Sequence, residues 1–183
     1  MSKFNFYETP IKDMMVVENF LAEDVRGAFV KTFNTAEFGN NLPFEIKETI
    51  LSFSHPGVIR GLHFQLPPQA KLVTCIKGKI WDVGVDLRED SPTYKQWYGE
   101  ELSCENHKSL FIPKGFAHGY LAFEESIVLY QCDEVFNAKG DSGIYFDDSD
   151  INVCWPVRTT IIVSEKDKNL QSFETFISNF GGF

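Results

Sequence analysis

Short apolar segments separated by turn-forming residues recur along this 183-residue sequence, and they limit the folds that it can adopt. In the clearest segment, residues 80–87, apolar side chains alternate with Asp82, Gly84 and Asp86. Such alternation is typical of a β-strand. Further strands are predicted at 71–76, 95–102, 108–112, 119–123, 127–132 and 143–146. Strands this short, spaced by turn residues, predict an all-β sandwich or barrel.

The remaining segments predict few helices. We expect strand and turn over residues 1–20, with 11–17 at a sheet edge, a turn entering a strand over 24–33, and an extended segment over 43–54. A short helical turn is predicted over 35–38. Only the C-terminal segment has a longer helical pattern: Ser164 can cap a helix, and apolar residues then recur at helical spacing, namely Leu170, Phe173, Phe176, Ile177 and Phe180. Without a linker or repeat, residues 1–183 are predicted to form a single domain.

Composition and charge exclude several classes of function. A net charge of -9 argues against a nucleic-acid groove, and an anionic substrate would need local cations. The sequence has neither a signal peptide at its N-terminus nor an apolar run of the ~20 residues that a membrane helix needs. Three of the four cysteines lie in strand-like apolar runs, which predicts buried free thiols; the four are Cys75, Cys104, Cys132 and Cys154. We expect a cytoplasmic protein.

Residues 57–73 combine side chains that suit acid–base chemistry on an anion. The segment is interpreted as a strand, a Pro-Pro turn and a second strand. Alternation places His63 and Gln65 on one face and Arg60 on the other, unless a bulge redirects Arg60. Lys71 begins the second strand and lies beside His63 if the two strands pair. The alternative is a surface hairpin with ordinary polar residues.

Two further segments offer candidate side chains. His118 follows a turn shaped by Pro113 and Gly115, and Tyr130 is a polar residue within an apolar strand. A buried tyrosine often only donates a hydrogen bond to the backbone, so Tyr130 alone is ambiguous. Asp82 and Asp86 would indicate function if they faced the interior of a barrel, and would need no explanation if they faced solvent.

Several motifs together resemble one family. They are RGLHFQLPP, KLV, G-x-I-x-DVGVDLR, DSPTY, LS-x-EN, IPKGFAHGYL and a closing DD…CWP, in that order over residues 20–168. The chain thereby resembles the dTDP-4-dehydrorhamnose 3,5-epimerases. The resemblance implies a cupin-type jelly roll, a double-stranded β-helix with short helices and a C-terminal helix. It also implies a homodimer that exchanges N-terminal strands, and a cofactor-independent epimerase acting on a nucleotide-linked 4-keto sugar.

The resemblance also implies roles for individual residues. His63 is the expected general base, with Asp167 as its carboxylate partner. Lys71 is expected to stabilise the enolate, and Tyr130 to donate a proton on the opposite face of the sugar. The residues expected to bind the substrate are Arg60 and His118 at the diphosphate, Gln65 and Asp141 elsewhere in the site, and Arg26 and Phe29 from the neighbouring subunit.

Three departures from the family pattern leave alternatives open. Lys31 replaces an acidic residue, and 48–50 replaces a Gln-Asp-Asn run; both family positions contact the nucleoside. Phe136 replaces a second tyrosine. A C3-only epimerase acting on a GDP- or CDP-linked 4-keto sugar or heptose is therefore the first alternative.

Other classes of cupin are less well matched. A 3,4-ketoisomerase shares the fold and moves a carbonyl group instead of inverting a carbon. A non-catalytic sugar-binding cupin would need no base opposed to an acid. A metal-dependent cupin would have a His-x-His pair, but His63 is followed by Phe64 and Gln65, so no metal site is predicted.

Overall fold

Two six-stranded β-sheets dominate the computed structural model, which describes residues 3–42 and 44–183. The strands are β1 (Asn5–Glu8), β2 (Met15–Glu18), β3 (Phe20–Asp24), β4 (Gly27–Lys31), β5 (Glu48–Ser54), β6 (Val58–Phe64), β7 (Lys71–Lys77), β8 (Lys79–Asp86), β9 (Trp97–Ser103), β10 (Lys108–Ile112), β11 (Phe116–Ala122), β12 (Ser126–Cys132), β13 (Ser142–Gly143) and β14 (Ile162–Val163). The helices are α1 (Thr35–Asn41), α2 (Glu165–Lys168) and α3 (Phe173–Phe180). The predicted all-β fold with short helices is confirmed.

The first sheet has the order β1-β2-β10-β7-β12-β5, and its adjacent strands are antiparallel. The second has the order β13-β6-β11-β8-β9, with β14 parallel to β6. An apolar core joins the inner faces of the two sheets, since Val73 and Val128 of the first pack with Ile80 and Tyr120 of the second. This is the two-sheet arrangement of a jelly roll. Strands β3 and β4 form a separate hairpin.

Strand β8 is buried on both faces. Val83, Val85 and Leu87 pack in an outer apolar cluster with Phe173 and Phe176 of α3. Asp82 and Asp86 lie on the opposite, inner side and are 0% exposed. Of the two interpretations of these carboxylates, the interior one is therefore correct.

The two strands of residues 57–73 do not pair with each other, so the condition for placing Lys71 beside His63 on one sheet is not met. Strand β6 pairs with β11, β13 and β14, whereas β7 pairs with β10 and β12, so the two strands belong to different sheets. The Pro67–Pro68 turn thus carries the chain from one sheet to the other. Lys71 and His63 consequently lie on different walls of the space between the sheets.

The C-terminal helix is shorter than its apolar spacing predicts. A second N-cap interrupts it: the Ser172 hydroxyl accepts a hydrogen bond from Thr175 N–H at 3.1 Å, and α3 starts there. The preceding residue, Gln171, accepts a hydrogen bond from Tyr145 N–H at 2.9 Å instead of continuing a helix. Residues after Ser164 therefore form two short helices.

The thiols are less buried than expected. Cys75 and Cys132 are buried, but Cys104 and Cys154 are exposed, because they lie in a turn and a loop and not inside strands. All four are free. Pro43, at the start of the predicted extended segment, lies outside the described residues. Among the helices that the structure describes, none is long and apolar enough to cross a membrane.

Candidate active site

A cavity of about 350 Å³ opens between the two sheets. Strands β5, β7 and β12 of the first sheet form one wall, and β6 and β11 of the second form the other. The lining includes seven of the ten predicted site residues: Arg60, His63, Gln65, Lys71, His118, Tyr130 and Asp141. Asp167 reaches the cavity through its contact with His63.

His63 and Asp167 form a hydrogen-bonded pair. His63 Nε2 lies 2.7 Å from Asp167 Oδ1, and Gly61 N–H donates to the other carboxylate oxygen at 3.3 Å. Burial raises the pKa of Asp167, but the hydrogen bond and charge of His63, with the Gly61 N–H, outweigh it and hold that pKa below its usual value. An ionised carboxylate only accepts hydrogen bonds, so Nε2 carries the hydrogen and Nδ1 is left with a free lone pair.

Arg60 and His63 share one wall because β6 contains a bulge. His63 pairs with His118 and Arg60 pairs with Tyr120, so Gly61 and Leu62 together oppose a single residue of β11. Gly61 has φ 126°, and a Cβ there would lie 2.5 Å from the Cα of the facing glycine, so only glycine fits. The bulge is the exception named above for strict alternation, and it places Arg60 on the same wall as His63.

Lys71 lies on the wall opposite His63, at the start of β7 beside Cys132. Burial lowers the pKa of Lys71, and the nearby Cys132, Asp141 and Asp82 raise it by less. Lys71 forms no ion pair within the described residues, so its ammonium is available to a bound anion or oxyanion.

A second histidine–aspartate pair lies deeper in the cavity. His118 Nε2 is 2.8 Å from Asp82 Oδ1, and both side chains are buried. Burial lowers the pKa of His118 more than the Asp82 charge raises it. The second oxygen of Asp82 has no hydrogen-bond partner among the described residues. The ring of His118 meets the ring of Tyr130 edge-on, with centroids 5.8 Å apart.

Tyr130 reaches the cavity from β12, in the sheet opposite His63. Burial raises the pKa of Tyr130 well above its usual value, and the Tyr120 hydroxyl and the Asp82 charge raise it further. Tyr130 therefore keeps its proton at neutral pH and is equipped to act as an acid.

Gln65 has a different environment from the one predicted. Its Nε2 donates to Val135 O at 3.1 Å, and its Oε1 accepts from Asn137 N–H at 3.1 Å. Both ends of the amide thus hold the loop that carries Phe136 over the cavity. Gln65 therefore lines the site, but its amide holds the loop at the rim of the cavity. Direct binding of the substrate by Gln65 stays a prediction. Asp141 also lines the cavity and forms an ion pair with Lys166 at its mouth.

Comparison with known proteins identifies the family. Residues 8–175 match the dTDP-4-dehydrorhamnose 3,5-epimerase family. The chain belongs to this family. An enzyme of that name from Methanothermobacter thermautotrophicus is 47% identical over 174 residues, covering 92% of this chain and 94% of the relative.

Solved structures of family members have the same fold. An epimerase from Legionella pneumophila, solved with dTDP-4-keto-L-rhamnose, is 31% identical with a TM-score of 0.93 and covers 97% of this chain and 96% of its own. One from Bacillus anthracis, solved with TDP and PPi, is 40% identical with a TM-score of 0.87 and covers 93% and 100%. As a member of the dTDP-4-dehydrorhamnose 3,5-epimerase family, the chain is a carbohydrate epimerase, and these findings favour C3 and C5 inversion over the GDP- or CDP-linked alternative.

Arg26 and Phe29 lie outside the cavity of their own chain. Both belong to the β3–β4 hairpin and are exposed, and within the described residues Arg26 forms an ion pair only with the neighbouring Asp24. Their predicted contact with a substrate in this epimerase family would require a second subunit.

Several residues that line the cavity were not predicted from the sequence: Ser52, Tyr120, Cys132 and Lys166. Tyr120 had a detectable signal, since it follows His118 by two residues on one strand and so shares its face. The others had none, because their neighbours in space lie in distant segments. Within the described ranges, no group of three or more His, Cys, Asp or Glu side chains is placed to hold a metal ion.

Proposed function

We propose that the cavity inverts C3 and C5 of a dTDP-linked 4-keto-6-deoxy sugar by abstracting and returning protons beside the C4 ketone. The observation that carries the proposal is the placement of His63 and Tyr130 on opposite sheets facing one cavity. Inversion needs a base on one face of a carbon and an acid on the other. An imidazole on one wall of the cavity and a phenol on the opposite wall supply both groups.

His63 abstracts the proton with Nδ1. The C–H bonds beside a ketone are weakly acidic because the resulting carbanion delocalises onto oxygen. Asp167, hydrogen-bonded at 2.7 Å, fixes the tautomer and stabilises the imidazolium that forms. The ammonium of Lys71 stabilises the negative charge that develops on the ketone oxygen. Tyr130 then delivers a proton to the other face of the carbon.

Arg60 and His118 bind the diphosphate. Arg60 is fixed on one side, since its Nε donates to Ser54 Oγ and one terminal nitrogen donates to Phe53 O, both at 3.0 Å. Its remaining N–H groups can face the cavity. A protein with a net charge of -9 needs a local cation such as Arg60 to hold an anionic substrate, and His118 can add a hydrogen bond.

The working form is a homodimer with exchanged N-terminal strands. The outer face of the first sheet exposes large apolar side chains, including Leu51, Phe53 (65%) and Ile76. Strand β5 is an open edge of that sheet, and the β3–β4 hairpin exposes Val25 and Phe29. Open edges and apolar faces of this kind are typical of subunit interfaces. Four free thiols fit a reducing, cytoplasmic location.

Two variants test the assigned roles. We expect His63→Asn to abolish both deuterium exchange and inversion of dTDP-4-keto-6-deoxyglucose in heavy water, measured by NMR. Tyr130→Phe should still exchange deuterium but form little inverted product, because His63 can return a proton only to the face it came from. Both variants should keep their affinity for dTDP over GDP and CDP in a thermal-shift assay.

Two results would contradict the proposal. Inversion near the wild-type rate by His63→Asn would remove His63 as the base. Normal inversion by Tyr130→Phe would assign the acid to another group. A matched control is His55→Asn, since the exposed His55 side chain bonds to Glu125 alone among the described residues, and this variant should invert the sugar normally.

A further inference from the structure

Arg60 lines the cavity and is exposed, yet its guanidinium is fixed. Holding a long, exposed side chain in one geometry costs conformational entropy. Two hydrogen bonds oppose that cost: Nε donates to Ser54 Oγ and Nη2 donates to Phe53 O, both at 3.0 Å. Both acceptors belong to β5, an edge strand of the first sheet, whereas Arg60 belongs to β6 of the second. The arginine therefore bridges the two sheets.

These two bonds use one edge of the planar guanidinium. The hydrogen of Nε and the nearer hydrogen of Nη2 point the same way, so that edge faces β5. The end of the group, made of Nη1 and the second hydrogen of Nη2, has no acceptor within the described residues. Two parallel N–H groups at that end match two oxygens of a phosphate. The direction in which Arg60 presents this end is thus set by its bonds to β5.

A buried tyrosine holds the Ser54 hydroxyl in place. Ser54 is 4% exposed and Tyr120 is 0% exposed, and Ser54 Oγ lies 2.8 Å from Tyr120 Oη. Ser52 Oγ lies 3.0 Å from the same Oη, on the same face of β5. A serine hydroxyl has one hydrogen and two lone pairs, so Ser54 can accept from Arg60 and still bond to Tyr120 in either direction. The Tyr120 hydroxyl therefore fixes the direction of the Ser54 hydroxyl.

The backbone places Tyr120 directly beside Arg60. Tyr120 of β11 pairs with Arg60 of β6, next to the bulge, and its ring packs in the core between the sheets. We propose that Tyr120, acting through Ser54, is a positioning residue that orients Arg60 towards the diphosphate of the substrate. The inference rests on the proposed function. A phenylalanine would fill the same space in the core, so packing alone does not require the hydroxyl.

Tyr120→Phe tests the inference, because it removes the hydroxyl and keeps the ring. Ser54 then turns freely, and Arg60 Nε loses its fixed acceptor. We expect the Kd for dTDP to rise about fivefold, the order expected for one lost hydrogen bond. The Kd for thymidine, which lacks the diphosphate, should stay unchanged. Isothermal titration calorimetry measures both without turnover, which matters because Tyr120 also raises the pKa of Tyr130.

A double-mutant cycle separates positioning from a general structural role. Arg60→Ala alone should weaken dTDP binding more than Tyr120→Phe does, since it removes the cation itself. In the Arg60→Ala background, Tyr120→Phe should have no further effect, because the two residues act through one contact. A structural role would weaken thymidine binding as well and would persist in that background. Tyr98→Phe is the matched control: Tyr98 packs against the same core, bonds to Glu100 on its own strand, and should change neither Kd.

Four results decide the inference. A loss of dTDP affinity in Tyr120→Phe that spares thymidine and vanishes in the Arg60→Ala background supports it. A loss that persists in that background overturns it. An unchanged ratio of dTDP to thymidine affinity in Tyr120→Phe also overturns it, and the diphosphate role proposed for Arg60 still holds if Arg60→Ala weakens dTDP binding. Full dTDP affinity in Arg60→Ala overturns both.

Ser54→Ala takes the place of Tyr120→Phe if that variant does not fold. It removes the acceptor of Arg60 Nε directly. We expect KM for the dTDP-linked sugar to rise about fivefold with kcat unchanged, as for binding lost equally in the ground and transition states. An unchanged KM overturns the inference.

Discussion

At the scale of single residues, the cavity separates two histidine–aspartate pairs with different surroundings. His63 is half-buried beside Asp167, whereas His118 is fully buried beside Asp82. In the first pair the Gly61 N–H donates to the carboxylate, whereas in the second an oxygen of Asp82 has no partner in the described part of the chain. The first pair therefore resembles an oriented base, whereas the second leaves part of the Asp82 carboxylate without a partner among the described residues.

Asp167→Asn should slow turnover by about 10²–10⁴-fold without unfolding the protein, because an amide favours the wrong imidazole tautomer and carries no charge. The pKa of Asp167 lies below its usual value, so this carboxylate stays ionised throughout pH 5–9. Its titration should therefore be missing from the wild-type profile of kcat against pH. Steady-state kinetics measure both effects. Glu165→Gln, an exposed change on the same helix, is the control and should leave kcat unchanged.

At the scale of elements, strand β8 is joined to the loop after it by a buried carboxylate. Asp86 accepts hydrogen bonds from Arg88 Nε at 2.9 Å and Nη2 at 2.8 Å and from Thr93 Oγ1 at 2.8 Å. Arg88 in turn donates to Asp13 at 2.8 Å, which links this loop to the segment before β2. A single carboxylate thus holds three separate segments at one end of the barrel.

Asp86→Asn should lower the free energy of unfolding by about 2 kcal/mol at pH 7, as expected for hydrogen bonds to a buried charge. Burial raises the pKa of Asp86, but its bonds to Arg88, Ser91 and Thr93 outweigh it and lower that pKa overall. The stabilisation is therefore complete above pH ~4 and is lost as the pH falls through the lower folded-state value. Urea unfolding at pH 7 and near pH 3 measures it. The difference in unfolding free energy between Asp86→Asn and the wild type should shrink in acid. The Asp90→Asn variant, which changes an exposed carboxylate, should have the same unfolding free energy as the wild type.

Local sequence patterns predicted where strands and helices lie better than they predicted which strands pair. Alternation over residues 80–87 located β8, because each face of that strand meets a uniform environment. The segment around the Pro67–Pro68 turn left open whether the strands on either side pair, since the partner of β6 lies more than 50 positions away in the sequence. The break before α3 could not be predicted, because the apolar residues keep their helical spacing on both sides of Ser172. The roles of His63, Lys71 and Tyr130 came from the family resemblance. The contacts of Tyr120 with Ser52 and Ser54 could be found only from the three-dimensional structure.

At the scale of the whole molecule, a single chain leaves two groups of large apolar side chains exposed to solvent. The outer face of the first sheet exposes Leu51, Phe53 and Ile76, and the β3–β4 hairpin exposes Val25 and Phe29. Exposed apolar faces this large are costly in a monomer. A two-fold contact in which each hairpin reaches the partner's β5 edge would cover both at once, and it would carry Arg26 and Phe29 towards the partner's cavity.

Mixing two inactive variants tests whether that arrangement completes the site. Arg26→Ala chains lack the donated arginine, and His63→Asn chains lack the base. In a mixed dimer, one cavity combines the intact His63 of the first chain with the intact Arg26 of the second. Random pairing should therefore restore about a quarter of the wild-type activity, because half of the dimers are mixed and each has one complete site. Co-purification through a tag on one variant verifies that mixed dimers form. Arg158→Ala, which removes another exposed arginine, should be active alone. If mixed dimers form and activity does not return, each cavity is complete within its own chain, and the exposed hairpin must be explained in another way.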